Sequence, residues 1–196
     1  MNWEAVTAIC TFFAVVVALF GDRIRKRLFS EKINISVATP LSDLNCFIEN
    51  NQQKQAHYYH LNVSNDGCSV SSNTIVYLTN ISATINSTKY VWNGEIPLSW
   101  EYGQVMGRIS WNILSKDSHN CDLFCITEDG LVVIETIIMP NNLHSNFIGP
   151  FSAELCVCAK SNDIISREKT FEVKWDGKWD KDPAIMSEHI FFKDIS

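Results

Sequence analysis

Two pairs of cysteines are the residues of this sequence best suited to bind a metal. Cys121 and Cys125 are four positions apart, and Cys156 and Cys158 are two positions apart. Because side chains alternate between the two faces of a β-strand, the members of each pair should point to one side, and four convergent thiolates could bind zinc. Structural zinc sites usually place their cysteines on tight turns, however, and free cysteine is among the most commonly buried residues. We therefore expect buried thiols and no metal site.

Histidines and carboxylates could supply acid–base chemistry, but their spacing does not favour it. His57 and His60 are three positions apart in a strand-like segment, so they should point to opposite faces, which is unsuitable for two ligands of one metal. The sequence contains no G-x-S-x-G, H-E-x-x-H or glycine-rich phosphate-binding motif. Aspartates and glutamates are scattered without a paired arrangement. The sequence thus predicts no catalytic residue, no cofactor and a protein that is not an enzyme.

The composition indicates a folded chain that does not bind nucleic acid polymers. Of the 196 residues, 46% are hydrophobic and 19% are charged, and the formal net charge is −6. General nucleic-acid binders usually have a basic excess instead. The seven cysteines are an odd number without a framework spacing, which favours reduced thiols over a disulfide scaffold.

Residues 1–22 are predicted to form one transmembrane helix. The segment Trp3–Phe20 contains a single charge, Glu4, and a helix of this length spans about 27 Å, close to the roughly 30 Å hydrocarbon core. A cleaved signal peptide fits less well, because no basic residue precedes the apolar run. A buried helix of a soluble domain is the remaining alternative.

A basic cluster follows the helix, in residues 23–32, which we interpret as a juxtamembrane linker. By the positive-inside rule, such cations hold the C-terminal side of a helix in the cytoplasm. The prediction is a single-pass protein of the inner (cell) membrane with its N-terminus outside. The same cations could also contact anionic lipid headgroups of the bilayer. The cluster consists of Arg23, Arg25, Lys26 and Arg27.

One stripe of the helix is suited to self-association. At 100° per residue, four small or hydroxylated residues lie on one side of the helix. Small residues let helix backbones approach closely, and threonine hydroxyls can form hydrogen bonds across such a contact. The stripe favours a homo-oligomer; the alternative is that alanine and threonine occur there by chance. Its members are Thr7, Thr11, Ala14 and Ala18.

Residues 33–196 are predicted to form a cytosolic all-β domain. Alternating or β-branched segments recur at short intervals, separated by turn sequences, and no convincing amphipathic helix occurs among them. Glu128-Asp129-Gly130 and Ser161-Asn162-Asp163 each indicate a hairpin. This spacing predicts an immunoglobulin-like two-sheet β-sandwich, with tryptophans between the sheets. The predicted strands are Lys32–Thr39, His57–Ser64, Thr74–Ile85, Cys121–Thr127, Leu131–Met139, Phe151–Lys160 and Ser166–Trp175, and the tryptophans are Trp92, Trp100, Trp111 and Trp175.

Two motifs of this domain carry a resemblance to a known kind of protein. One is the strand Tyr59-x-Leu61-x-Val63-x-Asn65-x-Gly67, and the other is the segment Trp175-Asp176-Gly177-Lys178-Trp179. Together with the helix and the basic cluster, they resemble uncharacterised bacterial single-pass membrane proteins with a cytosolic immunoglobulin-like β-sandwich domain. The resemblance concerns architecture and implies no catalytic residues. It also implies, as one hypothesis, a role in antiviral (phage) defence.

The expected function is binding rather than catalysis. We predict a membrane-tethered interaction module that is oligomeric or works with a partner membrane or cytosolic protein. Sandwich domains usually bind through loops, and the candidates are Ser42–Ala56 and Glu95–Met106. The aromatic segment Trp175–Phe192 is expected to cap the core, with a docking surface for a partner as the alternative.

Two other functions remain open at this point. The first is a membrane effector, in which the sandwich senses a small anionic ligand such as a nucleotide messenger and the helices oligomerise to perturb the membrane. The second is a scaffold that recruits a partner enzyme to the membrane. The anion-sensing version requires five dispersed basic residues to converge in the fold: Lys89, Arg108, Lys116, Lys160 and Arg167.

Overall fold

The chain consists of an N-terminal apolar helix followed by a domain that is mostly β. The computed structural model describes residues 3–28, 30–39, 41–49, 52–85, 88–101, 108–137, 140 and 142–196, without the side chains of residues 22–28, 49, 52 and 85. In chain order the elements are α1 (Trp3–Leu28), β1 (Ile33–Val37), β2 (Asp43–Glu49), β3 (Gln52–Asn65), β4 (Ser71–Ile85), β5 (Thr88–Pro97), β6 (Ser99–Trp100), β7 (Trp111–Ile113), β8 (Ser118–Thr127), β9 (Leu131–Ile134), β10 (Asn146–Ile148), β11 (Phe151–Lys160), β12 (Lys169–Trp175), α2 (Pro183–His189) and β13 (Ile190–Asp194).

Helix α1 is long and apolar enough to cross a membrane. The qualifying stretch is Trp3–Gly21, and none of it is buried against the rest of the chain. The helix continues beyond this stretch to Leu28, so most of the predicted linker of residues 23–32 is helical rather than extended. The side chains of the basic cluster lie outside the described part of the structure.

The β domain contains two antiparallel sheets. Sheet one has the order β1-β3-β8-β9-β10, with β2 pairing the first half of β3 and β6 pairing β8. Sheet two has the order β13-β12-β11-β4-β5, with β7 pairing the start of β4. Both predicted hairpins are present, between β8 and β9 and between β11 and β12. Gly130 has φ +78° in the first of them, as a hairpin turn there requires.

One apolar core is built from residues of both sheets. Tyr59, Leu61 and Val63 of β3 are buried, as their alternation predicts. They share the core with residues of sheet two, such as Leu155 and Phe171. Three of the four tryptophans are buried, namely Trp92, Trp100 and Trp175. The fourth, Trp111, is partly exposed and packs against the core.

The prediction of a loop over Ser42–Ala56 is wrong, because this segment forms most of the β2–β3 hairpin. The pairing runs from Asp43 opposite Tyr58 to Glu49 opposite Gln52. A strand at the edge of a sheet leaves many of its side chains in water, so asparagine and glutamine are tolerated there. The other predicted loop, Glu95–Met106, is also partly wrong, since it begins within β5 and β6; its residues 102–107 lie outside the described structure.

The C-terminal segment closes one side of the core and contains a short helix that the sequence analysis missed. Asp182 caps α2, its carboxylate accepting a hydrogen bond from Ala184 N at 2.8 Å, and Pro183 occupies the first turn. Strand β13 then pairs with β12, and Phe192 packs against the core. The aromatic segment therefore acts as a cap, as expected, although Phe191 is 44% exposed.

Candidate functional site

The four cysteines considered as zinc ligands do not converge. A β-bulge in β8 inserts one extra residue opposite Tyr59–His60, and this reverses the alternation of the side chains. Cys121 therefore lies in the main core, whereas Cys125 lies in a small apolar cluster on the outer face of sheet one. Our expectation that both share a face is wrong for this reason. Among the residues that the structure describes, no group of three or more His, Cys, Asp or Glu side chains could hold a metal ion.

His57 and His60 point to opposite faces, as predicted, and their surroundings differ. The ring of His57 is fully buried, with Nδ1 2.7 Å from Ser42 Oγ and Nε2 2.8 Å from the Asp180 carbonyl oxygen. Burial lowers the pKa of His57, and the interactions with Asp180 offset this only in part. A neutral imidazole protonated at Nε2 donates to the Asp180 carbonyl oxygen and accepts at Nδ1 from the Ser42 hydroxyl. His57 thus joins β3 to the C-terminal segment.

His60 lies at the floor of a groove on the outer face of sheet one. The groove has a volume of about 730 Å³ and is bounded by β2 on one side. Its walls combine apolar and aromatic side chains with four carboxylates. The residues that form it are Ser42, Asp43, Leu44, Asn45, Cys46, Phe47, Ile48, Tyr58, His60, Glu101, Asp122, Glu135 and Pro183.

Two aspartates flank the ring of His60. Nδ1 lies 2.8 Å from Asp122 Oδ1, and Nε2 lies 3.1 Å from Asp43 Oδ2 without hydrogen-bond alignment. Burial alone would lower the pKa of His60, but the hydrogen bond to Asp122 and the charges of Asp122, Asp43 and Glu101 outweigh it, so the pKa is raised. The ring is therefore biased towards the protonated imidazolium, which compensates part of the buried negative charge.

A second polar pair lies deeper under the same groove. The Cys125 thiol donates to Glu135 Oε1 at 3.2 Å, and both residues are buried. Burial, followed by the charge of Glu135, raises the pKa of Cys125, so the thiol stays protonated and is a poor nucleophile. Burial also raises the pKa of Tyr58, whose ring stacks parallel to His60 with centroids 6.4 Å apart. These groups shape the groove and do not form an activated nucleophile.

The charge of the groove determines which ligands it can accept. Four acidic side chains line it, those of Asp43, Glu101, Asp122 and Glu135, whereas His60, whose pKa is raised, is the single basic side chain among its described lining residues. An anion would be repelled by this excess of negative charge, while an ammonium or guanidinium group would be attracted. The aromatic face of Tyr58 could add a cation–π contact. The arrangement is thus suited to a cation with an apolar stem.

The basic residues required for anion sensing engage separate partners. Lys160 Nζ lies 2.6 Å from Glu95 Oε2, Lys116 Nζ donates to the Asp66 carbonyl oxygen, and the Arg108 guanidinium lies over the Trp111 ring. Lys89 lies near the start of β5, whereas Arg167 lies in the connection between β11 and β12. The structure does not bring these five residues together, so the anion-sensing hypothesis receives no support from them.

The motif Asn65-x-Gly67 holds the chain that arrives from the helix. Asn65 is fully buried, and its Oδ1 accepts hydrogen bonds from Lys32 N and Gly67 N. Its Nδ2 donates to the carbonyl oxygens of Ser69 and Ile113. A Cβ on Gly67 would lie 2.3 Å from the Ser30 carbonyl oxygen, so only glycine allows this close approach.

The predicted self-association stripe is exposed along α1. The hydroxyls of Thr7 and Thr11 donate to the carbonyl oxygens of Trp3 and Thr7, at 2.9 and 2.8 Å. These bonds to the preceding turn satisfy the hydroxyls within one helix. Ala14 and Ala18 are exposed and leave a smooth surface on the same side.

Sequence reasoning missed most of the groove. The alternation of β3 signalled that Tyr58 and His60 share the outer face. No local signal indicated that Asp122, sixty-two positions from His60, would be paired with it. Comparison with protein-family models, with curated proteins and with solved structures finds no match for this chain.

Proposed function

We propose that this chain is a non-enzymatic, membrane-tethered binding module whose groove on sheet one takes an ammonium or guanidinium group. The observation that carries the proposal is the lining of the groove, in which four carboxylates surround one histidine and an aromatic wall. The cation is either the lysine or arginine side chain of a partner protein or a free polyamine. A partner bound in this way would be recruited to the membrane.

The tether in this proposal is helix α1. Its stretch Trp3–Gly21 is unburied in the chain, and apolar surface of this size is costly in water. Arg23, Arg25, Lys26 and Arg27 would hold the β domain on the cytoplasmic side. The packing of two antiparallel sheets on one core supports our further proposal of an immunoglobulin-like sandwich.

The experiment measures cation binding by the full-length protein in mild detergent, using isothermal titration calorimetry. Spermidine and an arginine-containing peptide are the two probes, and inorganic pyrophosphate is the anionic control. Asp43→Asn should weaken cation binding by about tenfold, because a hydrogen bond to a charged group contributes about 1.5 kcal/mol. Binding should also weaken with added salt.

A matched control is Asp163→Asn, which changes an exposed aspartate in the β11–β12 connection. This variant should bind both cations as the unmodified protein does. Binding of the peptide but not of spermidine would identify a partner protein as the source of the cation, and the reverse result would identify a polyamine. Binding of pyrophosphate with no response to either cation would contradict the proposal.

A second function, the membrane effector, is favoured by the attachment of the linker to the β domain. Residues 30–32 are hydrogen-bonded to residues 65–68, so a displacement of the β domain would be transmitted to α1. In this version the helices associate through Thr7, Thr11, Ala14 and Ala18. The oligomeric state of the intact protein, measured by native mass in mild detergent, tests it.

A further inference from the structure

Apolar side chains project from the end of the β domain at which the membrane helix enters. Val70 is 45% exposed, Leu114 is 57% exposed and Ile165 is 67% exposed. Two exposed cations, Lys32 and Lys116, lie beside them in the chain segments of the same end. We refer to these five residues as the linker-end patch.

Hydrogen bonds place the loops of the patch around the linker. Cys68 N donates to Ser30 O at 3.0 Å, and Ser115 Oγ donates to Gly67 O at 2.8 Å. On the other side, Ser161 Oγ donates to Glu31 Oε1 at 2.7 Å. The loops that carry the apolar residues of the patch are therefore bonded to the linker or to its immediate neighbours.

The β4–β7 pairing brings the chain segments of two of the apolar residues to the same end of the domain. Ser71 is paired with Ile113 in antiparallel register. Val70 directly precedes Ser71 in the chain, and Leu114 directly follows Ile113, so both residues flank this pair. Ile165 lies in the neighbouring connection, where it bridges to Lys160. Three exposed apolar residues therefore lie in neighbouring segments at one end of the domain.

The length of the linker sets how far this end lies from the bilayer. From Gly21 to Leu28 the helix rises about 10 Å, at about 1.5 Å per residue, and Ser30 follows two residues later. The headgroup region on each side of the hydrocarbon core is about 5 to 8 Å thick. The basic part of α1 therefore occupies the headgroup level, and Ser30 lies just beyond it.

We propose that the linker-end patch rests on the bilayer surface, so that Val70, Leu114 and Ile165 enter the headgroup region. Lys32 then contacts lipid phosphates, which attract juxtamembrane cations. Lys116 does so through the N–H groups that its bond to the Asp66 carbonyl oxygen does not use. This inference rests on the proposed membrane tether, because α1 brings the patch to the bilayer. It gives the β domain a defined orientation in which the linker end faces the membrane and the β2–β3 hairpin faces away.

Three exposed cysteines allow a test with the full-length protein. Cys10 lies in α1, Cys68 lies in the loop of Val70, and Cys46 lies in β2. Cys46 is paired with Gln55, ten residues along β3 from Asn65, which is about 33 Å at the rise of a strand. A spin label on Cys46 is therefore the aqueous control for a label on Cys68, and a label on Cys10 reports on the tether.

The protein is reconstituted in vesicles of equal parts phosphatidylcholine and phosphatidylglycerol. Each variant retains one of the three exposed cysteines and has the other two replaced by serine, and all variants carry Cys156→Ser. Collision with oxygen, which concentrates in lipid, is compared with collision with a water-soluble nickel chelate. The label on Cys68 should show a higher oxygen-to-nickel ratio than the label on Cys46. The double variant Val70→Ser and Leu114→Ser should lower that ratio to the Cys46 level, whereas Ile148→Ser, at another exposed isoleucine, should leave it unchanged.

The label on Cys10 tests whether α1 lies in the membrane, and the label on Cys68 tests whether the linker-end patch contacts lipid. A water-exposed label on Cys10 would overturn the tether and the patch together. A lipid-exposed label on Cys10 with a Cys68 ratio equal to that of Cys46 would overturn the patch alone. Protection of Cys68 from both reagents would also overturn it, because it would show a protein contact instead of lipid.

Discussion

The side-chain oxygen of Asn65 accepts a hydrogen bond from the backbone amide of Lys32, 3.1 Å away and thirty-three positions earlier in the chain. This bond joins the segment that follows helix α1 to the end of β3. Gly67 N and Lys32 N share the same acceptor atom, so the turn and the linker are fixed together. The β domain is therefore held directly at the end of the linker rather than connected by a free tether.

Replacement of Asn65 with alanine should destabilise the β domain by at least about 3 kcal/mol. The change leaves the buried Ile113 carbonyl and the amides of Lys32 and Gly67 without their partner, and each unsatisfied buried group costs about 1 to 3 kcal/mol. Urea unfolding of the full-length protein in detergent measures the loss. The control Asn34→Ala, at an exposed position of β1, should stay within about 0.5 kcal/mol of the unmodified protein. Equal effects of the two changes would contradict the role of Asn65.

Replacement of Gly67 with alanine should release the linker. The new Cβ would lie 2.6 Å from Glu31 Cα, and backbone atoms cannot yield as a flexible side chain can. We expect a loss of about 1 to 3 kcal/mol and faster tryptic cleavage after Lys32, measured by mass spectrometry. Gly21→Ala is the matched control, since its Cβ would be 3.7 Å from the nearest side-chain atom. Unchanged cleavage after Lys32 in the Gly67 variant would show that the linker is held by other contacts.

The two histidines of β3 should give opposite pH dependences of stability. The pKa of His57 is lower in the folded protein than in the unfolded chain, where it is about 6.5. The stabilisation that His57 provides is therefore present above about pH 6.5 and is lost as the pH falls through the pKa of the folded protein. His60 has a raised pKa, so its contribution is present below about 6.5 and is lost as the pH rises through the folded value.

Urea unfolding of His57→Gln and His60→Gln at about pH 5 and about pH 8 tests this pair of shifts, over the range in which histidine titrates. The free energy lost in the His60 variant should be larger at the lower pH. For the His57 variant it should be larger at the higher pH. The same direction for both variants would show that one of the two assignments is wrong.

The helix stripe should determine the oligomeric state. Ala14→Leu together with Ala18→Leu would separate helix backbones that approach through small residues. Native mass measurement in mild detergent should then show the oligomer dissociating. Val16→Leu, on the other side of α1, should leave the mass unchanged. A monomeric unmodified protein would remove the basis of the membrane-effector version.

Local sequence patterns were sufficient for seven of the strands, β1, β3, β4, β8, β9, β11 and β12, and for the two predicted hairpins. Tyr59, Leu61 and Val63 alternate in the sequence and are buried in the core, and Gly130 marks a turn through its own backbone conformation. Asp182-Pro183 is a local signal for the start of α2 that could have been used.

The remaining features depend on contacts between distant segments. The bulge opposite Tyr59 and His60 moves Cys125 to the outer face, and no pattern within β8 signals it. The β2–β3 hairpin is polar because it forms an edge, so hydrophobic alternation could not reveal it. The groove exists only because β2 and β8 flank β3, which brings Asp43 and Asp122 to His60.

The most direct test of a membrane-tethered module on the cytoplasmic side is the reaction of Cys46 with a membrane-impermeant maleimide. Cys46 is exposed at the groove, far from the linker. Its reactivity therefore does not depend on whether the linker-end patch contacts lipid. In cells that express the full-length protein, the protein should remain in the membrane fraction after carbonate extraction. Cys46 should be unreactive in intact cells and should react after permeabilisation. Release by carbonate, or full reaction of Cys46 in intact cells, would contradict the account.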